Sequence, residues 1–217
     1  MDKGVIYLKK YLCVAGLAIC FFTSIFLFTL SAEADAKEIR NEVLRFHIVA
    51  NSDADTDQQI KMRVRDGVAQ LCSDLFYTAD SKTQAMKLVS DNSDVLKSHA
   101  DAILKDLGCS DKTQVNLTKR FFPTRYYEGV SLPAGVYDTV DITIGEGNGK
   151  NFWCVMFPDI CIGASTKISN TEKMSDILSG DSFEMATSSD SPTVLLKFKT
   201  VEIVENLLNF FRTRRTS

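Results

Sequence analysis

The chain has 217 residues, a formal net charge of −3 and a sequence pI of about 5.5. It therefore has no basic field to attract a nucleic-acid backbone. With only two histidines there is little material for a nucleophile paired with a base.

Lys3, Lys9 and Lys10 precede a run from Tyr11 to Ala32 that carries no charge, and Glu33 and Asp35 follow it. Basic residues before an apolar run and acidic ones after it orient the segment with its N-terminus inside and the rest outside. Two fates are open. A signal peptidase would cut at the small-x-small patterns Ala32-Glu33-Ala34 or Ala34-Asp35-Ala36. Alternatively the run stays as an anchor, because about 20 apolar residues span a bilayer. Residues 1–34 are thus read as a signal peptide or signal anchor. The rest, roughly 180 residues, suffices for one domain with its own core. Cys13 and Cys20 fall in the export segment. Cys72, Cys109, Cys154 and Cys161 remain for disulfides outside the cytoplasm. The Cys154/Cys161 pair, flanking a short turn, is the first choice, with buried thiols as the alternative.

Residues 43–50 alternate as a strand, with Leu44, Phe46, Ile48 and Ala50 on one face and Arg45 and His47 on the other. Asn51-Ser52-Asp53 ends it and supplies N-cap residues for a helix over 54–76. Ile60, Val64, Val68, Leu71 and Leu75 form that helix's apolar stripe, and Asp55 and Asp57 sit in its first turn, where negative charge suits the helix dipole. Asp57, Lys61 and Arg65 line one border of the stripe. A helical region over 81–107 is open to interruption at Asn92-Ser93 and ends at Gly108. His99 falls between Val95 and Ile103 on its apolar face and reads as a core residue. Strands follow at 113–121, 136–144 and 152–157. Residues 122–129 read as a loop, and residues 145–151 join the last two strands as a hairpin. Residues 164–192 read as a polar loop or linker. A strand at 193–199, a short helix at 201–211 and a basic end (Arg212, Arg214, Arg215) complete the chain. The fold class is α+β: a single domain whose antiparallel or mixed sheet, from the N-terminal strand and the C-terminal hairpin strands, packs against two helical segments.

Catalytic readings find little support. Gly145-Glu146-Gly147-Asn148-Gly149 joins two strands rather than a strand and a helix, so it is not a nucleotide-binding loop. The sequence has no His-x-x-x-His, no Cys-x-x-Cys and no Gly-x-Ser-x-Gly. No metal or cofactor is expected, and His47 is the one plausible base.

The run Leu44-Arg45-Phe46-His47-Ile48-Val49-Ala50-Asn51-Ser52-Asp53, with Asp57-Gln58 and Lys61 to Asp66, resembles the opening block of the stage II sporulation protein R family. A second block matches in order: Phe122-Pro123-Thr124, Leu132-Pro133-Ala134-Gly135-x-Tyr137, Ile144-Gly145-Glu146-Gly147, Gly149-Lys150-Asn151 and Trp153-Cys154-Val155-Met156-Phe157-Pro158, then Cys161. The resemblance runs from 40 to about 163. It departs where Phe152 replaces the first residue of a Trp-Trp-Cys and where Pro158-Asp159-Ile160-Cys161 replaces Pro-Pro-Leu-Cys. The resemblance implies a non-enzymatic signal of endospore formation, secreted from the forespore into the intermembrane space. There it would activate a membrane-embedded aspartic protease of the mother cell, which processes the pro-form of sigma factor E. Arg45, His47, Asn51, Asp53, Asp57, Gln58, Lys61 and Arg65 are the expected partner-binding residues. The competing readings are an exported hydrolase acting on peptide or cell wall through His47, and a structural envelope protein.

Overall fold

A computed structural model describes residues 3–127, 129–158, 160, 170–188 and 191–215. In chain order the elements are α1 (Lys3–Glu42), β1 (Leu44–Val49), α2 (Asp55–Phe76), α3 (Lys82–Asp91), α4 (Ser93–Asp106), β2 (Thr113–Phe122), β3 (Arg125–Tyr127), β4 (Val130–Leu132), β5 (Gly135–Ile144), β6 (Asn151–Phe157), α5 (Asn170–Ser175), α6 (Gly180–Thr187) and α7 (Pro192–Arg215). The mixed sheet and its helical cover match the expected α+β class. Residues 161–169, which hold Cys161, lie outside the described residues, and Cys72 and Cys109 are not joined in disulfides.

β1 is the organising strand. The sheet order is β2-β5-β1-β6, with β1 parallel to β5 and antiparallel to β6. The expected hairpin of 136–144 with 152–157 therefore does not form, because β1 lies between the two strands. The glycine-rich connection wraps around the end of β1 instead. Asn148 N–H donates to the Asn51 carbonyl (3.0 Å), Gly149 N–H to the Ala50 carbonyl (2.9 Å) and Glu146 N–H to Asn51 Oδ1 (3.0 Å). A Cβ at Gly149 would overlap the Ser52 carbonyl, and Gly145 packs against the Asn51 side chain with a φ of 56°. These two glycines are there for close backbone approach.

Alternation along β1 splits the core in two. Leu44, Phe46 and Ile48 pack with Val64, Val68 and Cys72 of α2, Ala85 and Val89 of α3, and Leu96, Ala100 and Leu104 of α4. Each such fully buried aliphatic or aromatic side chain stabilises the fold by about 1.5–3 kcal/mol. The buried stripe of α4 is Leu96, Ala100 and Leu104, whereas Val95 is half exposed. His99 is correspondingly exposed rather than a core residue, and its ring lies over Gly67.

The opposite face carries a second core, for which the sequence reading made no provision. Ala32, Ala36, Ile39 and Val43 of α1 pack there with Phe122, Leu132, Tyr137 and Val155. Met174, Leu178, Met185, Ala186, Val194, Phe198 and Val201 complete it. The expected loop at 122–129 contributes β3, which pairs with β4 as a two-stranded ribbon. The expected linker at 164–192 contains α5 and α6. The expected strand at 193–199 is the start of the 24-residue helix α7. Its β-branched and aromatic residues gave it strand character, yet Val194, Phe198 and Val201 recur at helical spacing and are all buried.

Gly149→Ala is expected to lower stability by about 1–3 kcal/mol through the clash with Ser52. Gly108→Ala meets open space and is strained only by its φ of 70°, so it should cost about 1–2 kcal/mol. Urea midpoints at constant slope check the ranking.

Candidate functional site

The eight residues expected to bind a partner separate into two clusters on opposite faces of the sheet. Arg45 and His47 point away from α2 and lie apart from the Asp57–Lys61–Arg65 border.

Arg45 is 0% exposed and His47 1% exposed, so neither forms part of the folded surface. The expected direct contact of either with a partner would require the covering layer to open. Arg45 Nε donates to the Cys154 carbonyl (2.9 Å) and Nη2 to Tyr127 Oη (2.7 Å). Its guanidinium lies 4.1 Å from the Phe122 ring centroid and 5.0 Å from that of Tyr137. Desolvated cation–π contacts of this kind contribute about 2 kcal/mol. Burial pushes the Arg45 pKa down from its ordinary value, and the neighbouring tyrosines oppose the shift.

His47 is held by sheet register. Its partner across the parallel ladder is Asp141 and across the antiparallel ladder Trp153. His47 Nδ1 is hydrogen-bonded to Asp141 Oδ1 (2.5 Å), Nε2 to Asn151 Oδ1 (2.8 Å), and the ring stacks 4.2 Å from Trp153. Arg120 donates to the other oxygen of Asp141, with Nε at 3.1 Å. Burial raises the Asp141 pKa, but the hydrogen bonds from His47 and Arg120 outweigh it and hold the carboxyl below its ordinary range.

The second cluster is at the corner between β1 and α2. The expected N-cap residues act as a knot, since Ala54 occupies the cap position with no side-chain cap bond. Asn51 Nδ2 and Ser52 Oγ both donate to Asp57 Oδ2 (3.1 and 2.6 Å). These bonds hold the Asp57 pKa below its ordinary value. Gln58 Nε2 donates to the Ser52 carbonyl (2.8 Å). Lys61 Nζ donates to Gln58 Oε1 (2.6 Å) and to the Lys150 carbonyl (2.8 Å), tying the corner to the glycine loop. Lys61 is 5% exposed, and burial lowers its pKa while Asp53 opposes the shift. Arg65 pairs with Asp66 and lies 4.9 Å from the Phe152 centroid. Asp53 is exposed and reaches solvent. A shallow groove continues from this corner along α2, lined by Asp55, Gln58, Gln59, Met62, Arg63 and Leu107.

Sequence reasoning missed Tyr127, Tyr137, Asp141 and Asn151. The alternation of Tyr137, Thr139 and Asp141 along one strand was the available signal, but only the register of β1 between β5 and β6 says what they face. Among the described residues no group of three or more His, Cys, Asp or Glu side chains is arranged to hold a metal.

Asp141 gives a pH test. Its folded-state pKa is depressed, so its contribution is present above the ordinary carboxylate value of 3.8 and is lost as the pH falls through the folded value. Urea unfolding should show stability falling below about pH 4. Asp141→Asn should flatten part of that slope. Asp57, Asp101 and Asp138, also held low by their partners, should retain the remainder.

Comparison with known proteins follows the same residues. The sequence model described as stage II sporulation protein R matches residues 40–167, more than half of the chain. A relative named stage II sporulation protein R from Bacillus subtilis (strain 168) is 34% identical over 123 residues, which are 57% of this chain and 55% of the relative. The chain thus spans little more than half the length of that relative. No solved structure matches. With the motif-bearing β1–α2 corner and the glycine loop joined in one hydrogen-bonded unit inside the matched region, the chain belongs to the stage II sporulation protein R family.

Proposed function

We propose that this sporulation protein is an exported, non-enzymatic signal. It acts from the intermembrane space after leaving the forespore and activates a membrane-embedded aspartic protease of the mother cell. The protease then processes the pro-form of sigma factor E. Activation requires that the protein bind the active state of the protease more tightly than the resting state.

The observation that carries this reading is the division of labour around β1. Both ring nitrogens of His47 are engaged inside the domain, at 2.5 and 2.8 Å. A base occupied on both sides and closed to solvent is poorly placed to turn over a peptide or wall fragment, which weighs against the hydrolase reading. The exposed motif residues Asp53 and Arg63, with the neighbouring Gln59, stand on a rigid corner. That corner suits recognition, because pre-organised polar groups lose little entropy on binding.

The N-terminal apolar helix is compatible with a signal sequence or an anchor. Burial of Ala32, Asp35 and Ala36 favours the anchor. Cleavage after Ala34 or Ala36 would strip α1 residues from the second core, and Asp35 with them its ion pair to Lys197 if the cut falls after Ala36. Cys154 is proposed to pair with Cys161, and intact mass under non-reducing conditions tests both the pairing and the cleavage.

The experiment is co-expression with the protease and the sigma-factor precursor in a host that lacks both. Precursor cleavage should depend on this protein. Asp53→Lys and Arg63→Glu should abolish cleavage while leaving the unfolding midpoint unchanged. His47→Ala should instead lower stability by about 2–4 kcal/mol, as expected for breaking a buried hydrogen-bond network. Normal processing with both surface variants would exclude this corner as the recognition site.

A further inference from the structure

α7 presents two apolar stripes, and the domain uses only one. Val194, Phe198 and Val201 are buried in the second core, with Glu205 beneath them on the same side. On the opposite side, at i, i+7, i+11 and i+15, Leu196, Ile203, Leu207 and Phe211 are 57%, 69%, 56% and 57% exposed. A surface helix of a soluble domain ordinarily keeps its outer face polar.

The position of α7 along α1 indicates what covers this stripe. Lys197 Nζ lies 2.7 Å from Asp35 Oδ2, and Glu205 Oε1 lies 3.5 Å from Arg40 Nη2. From Tyr11 to Leu27 α1 is uncharged and exposed, and Leu30 is exposed as well. Asp35 is only about 8 Å of helical rise beyond Leu30. The headgroup layer outside a hydrocarbon core is roughly 5–8 Å deep on each side. If α1 spans a bilayer, α7, about 10 Å across with its side chains, crosses α1 at the edge of that layer. Lys199 and Arg212, both exposed, pair with Glu202 and Glu205, and Arg214 and Arg215 follow in sequence as a basic end. An exposed apolar stripe that ends in a basic run matches a membrane surface bearing anionic lipids.

We propose that the outer stripe of α7 lies in the headgroup region of an anionic membrane and, with α1 inserted, seats the domain against the bilayer surface. The proposal rests on α1 being retained as an anchor. It adds a second membrane contact, which holds the orientation of the domain relative to any partner in the same intermembrane space.

Trp153 is the only tryptophan in the chain, so an introduced tryptophan reports cleanly against it. The full chain, reconstituted in vesicles of phosphatidylcholine and phosphatidylglycerol with and without brominated acyl chains, is compared for Leu17→Trp, Leu207→Trp and Gln59→Trp. Leu17→Trp tests the anchor, and Gln59→Trp marks the outer face of α2. The added emission of Leu207→Trp should fall roughly two-fold or more in brominated lipid, as for a stripe buried to the acyl boundary. That of Gln59→Trp should stay constant. Quenching at Leu17 but not at Leu207 overturns the proposal and leaves the anchor intact. Absence of quenching at both positions overturns the anchor and the proposal with it. A blue-shifted but unquenched Leu207→Trp means that protein covers the stripe, and equal quenching of Gln59→Trp means non-specific adsorption. Either result overturns the proposal.

Discussion

A buried guanidinium costs several kcal/mol unless hydrogen bonds and ring faces replace the water it loses. Arg45 imposes that requirement at the centre of the sheet, and much of the second layer answers it. Phe122 arrives at the end of β2, Tyr127 on the β3–β4 ribbon, and Tyr137 on β5. The Cys154 carbonyl comes from β6. Tyr127 also reaches the Trp153 carbonyl at 3.5 Å, and Tyr137 donates to the Pro133 carbonyl at 2.6 Å, so the cage ties the ribbon and β5 to the strands around β1. Charge in a low-dielectric site is unforgiving of imperfect geometry. The arrangement therefore favours one register and one packing of these strands.

The same logic extends one residue pair along β1. His47, Asp141, Arg120 and Asn151 form a second polar network, adjacent to the cage and sharing Trp153 with it through Phe122. Beyond it the strand ends in Asn51, whose carbonyl and side chain hold the glycine loop on one side and Asp57 on the other. One strand thus passes from a buried cation, through a buried histidine, to a surface corner. The motif residues along it differ in role because they differ in depth. Those at the start fix the sheet, and those at the end offer fixed polar groups to solvent.

This gradient explains what could be read from the sequence and what could not. Period-two alternation gave β1, β2, β5 and β6, and the apolar stripe gave α2 with nearly its observed bounds, because burial on one face writes directly into local pattern. Arg45 and His47 looked like surface residues because polar residues alternating with apolar ones usually face water. Here a second layer covers them, and apart from the end of α1 that layer comes from distant sequence: Phe122, Tyr127 and Tyr137, and the chain beyond 170. The insertion of β1 between β5 and β6 was equally hidden. Gly145–Gly149 read as a hairpin turn because its need for close approach to Asn51 and Ser52 is a tertiary fact. In α7, Thr193, Val194, Phe198 and Val201 carry strand propensity that tertiary packing overrides. The Cys154/Cys161 pairing rests on residues beyond those described. The family resemblance, carried by two ordered blocks, located the corner without revealing that half of its polar residues serve the interior.

The central claim is that the exposed corner after β1, and not the buried residues within it, meets the partner. Site-specific photocrosslinking in sporulating cells tests it most directly, with the probe placed at Asp53 or, on the opposite layer, at Lys199. The account predicts a covalent adduct between the Asp53 probe and a membrane protease of the mother cell, and none to that protease from Lys199. An adduct formed from Lys199 while Asp53 gives none would contradict it.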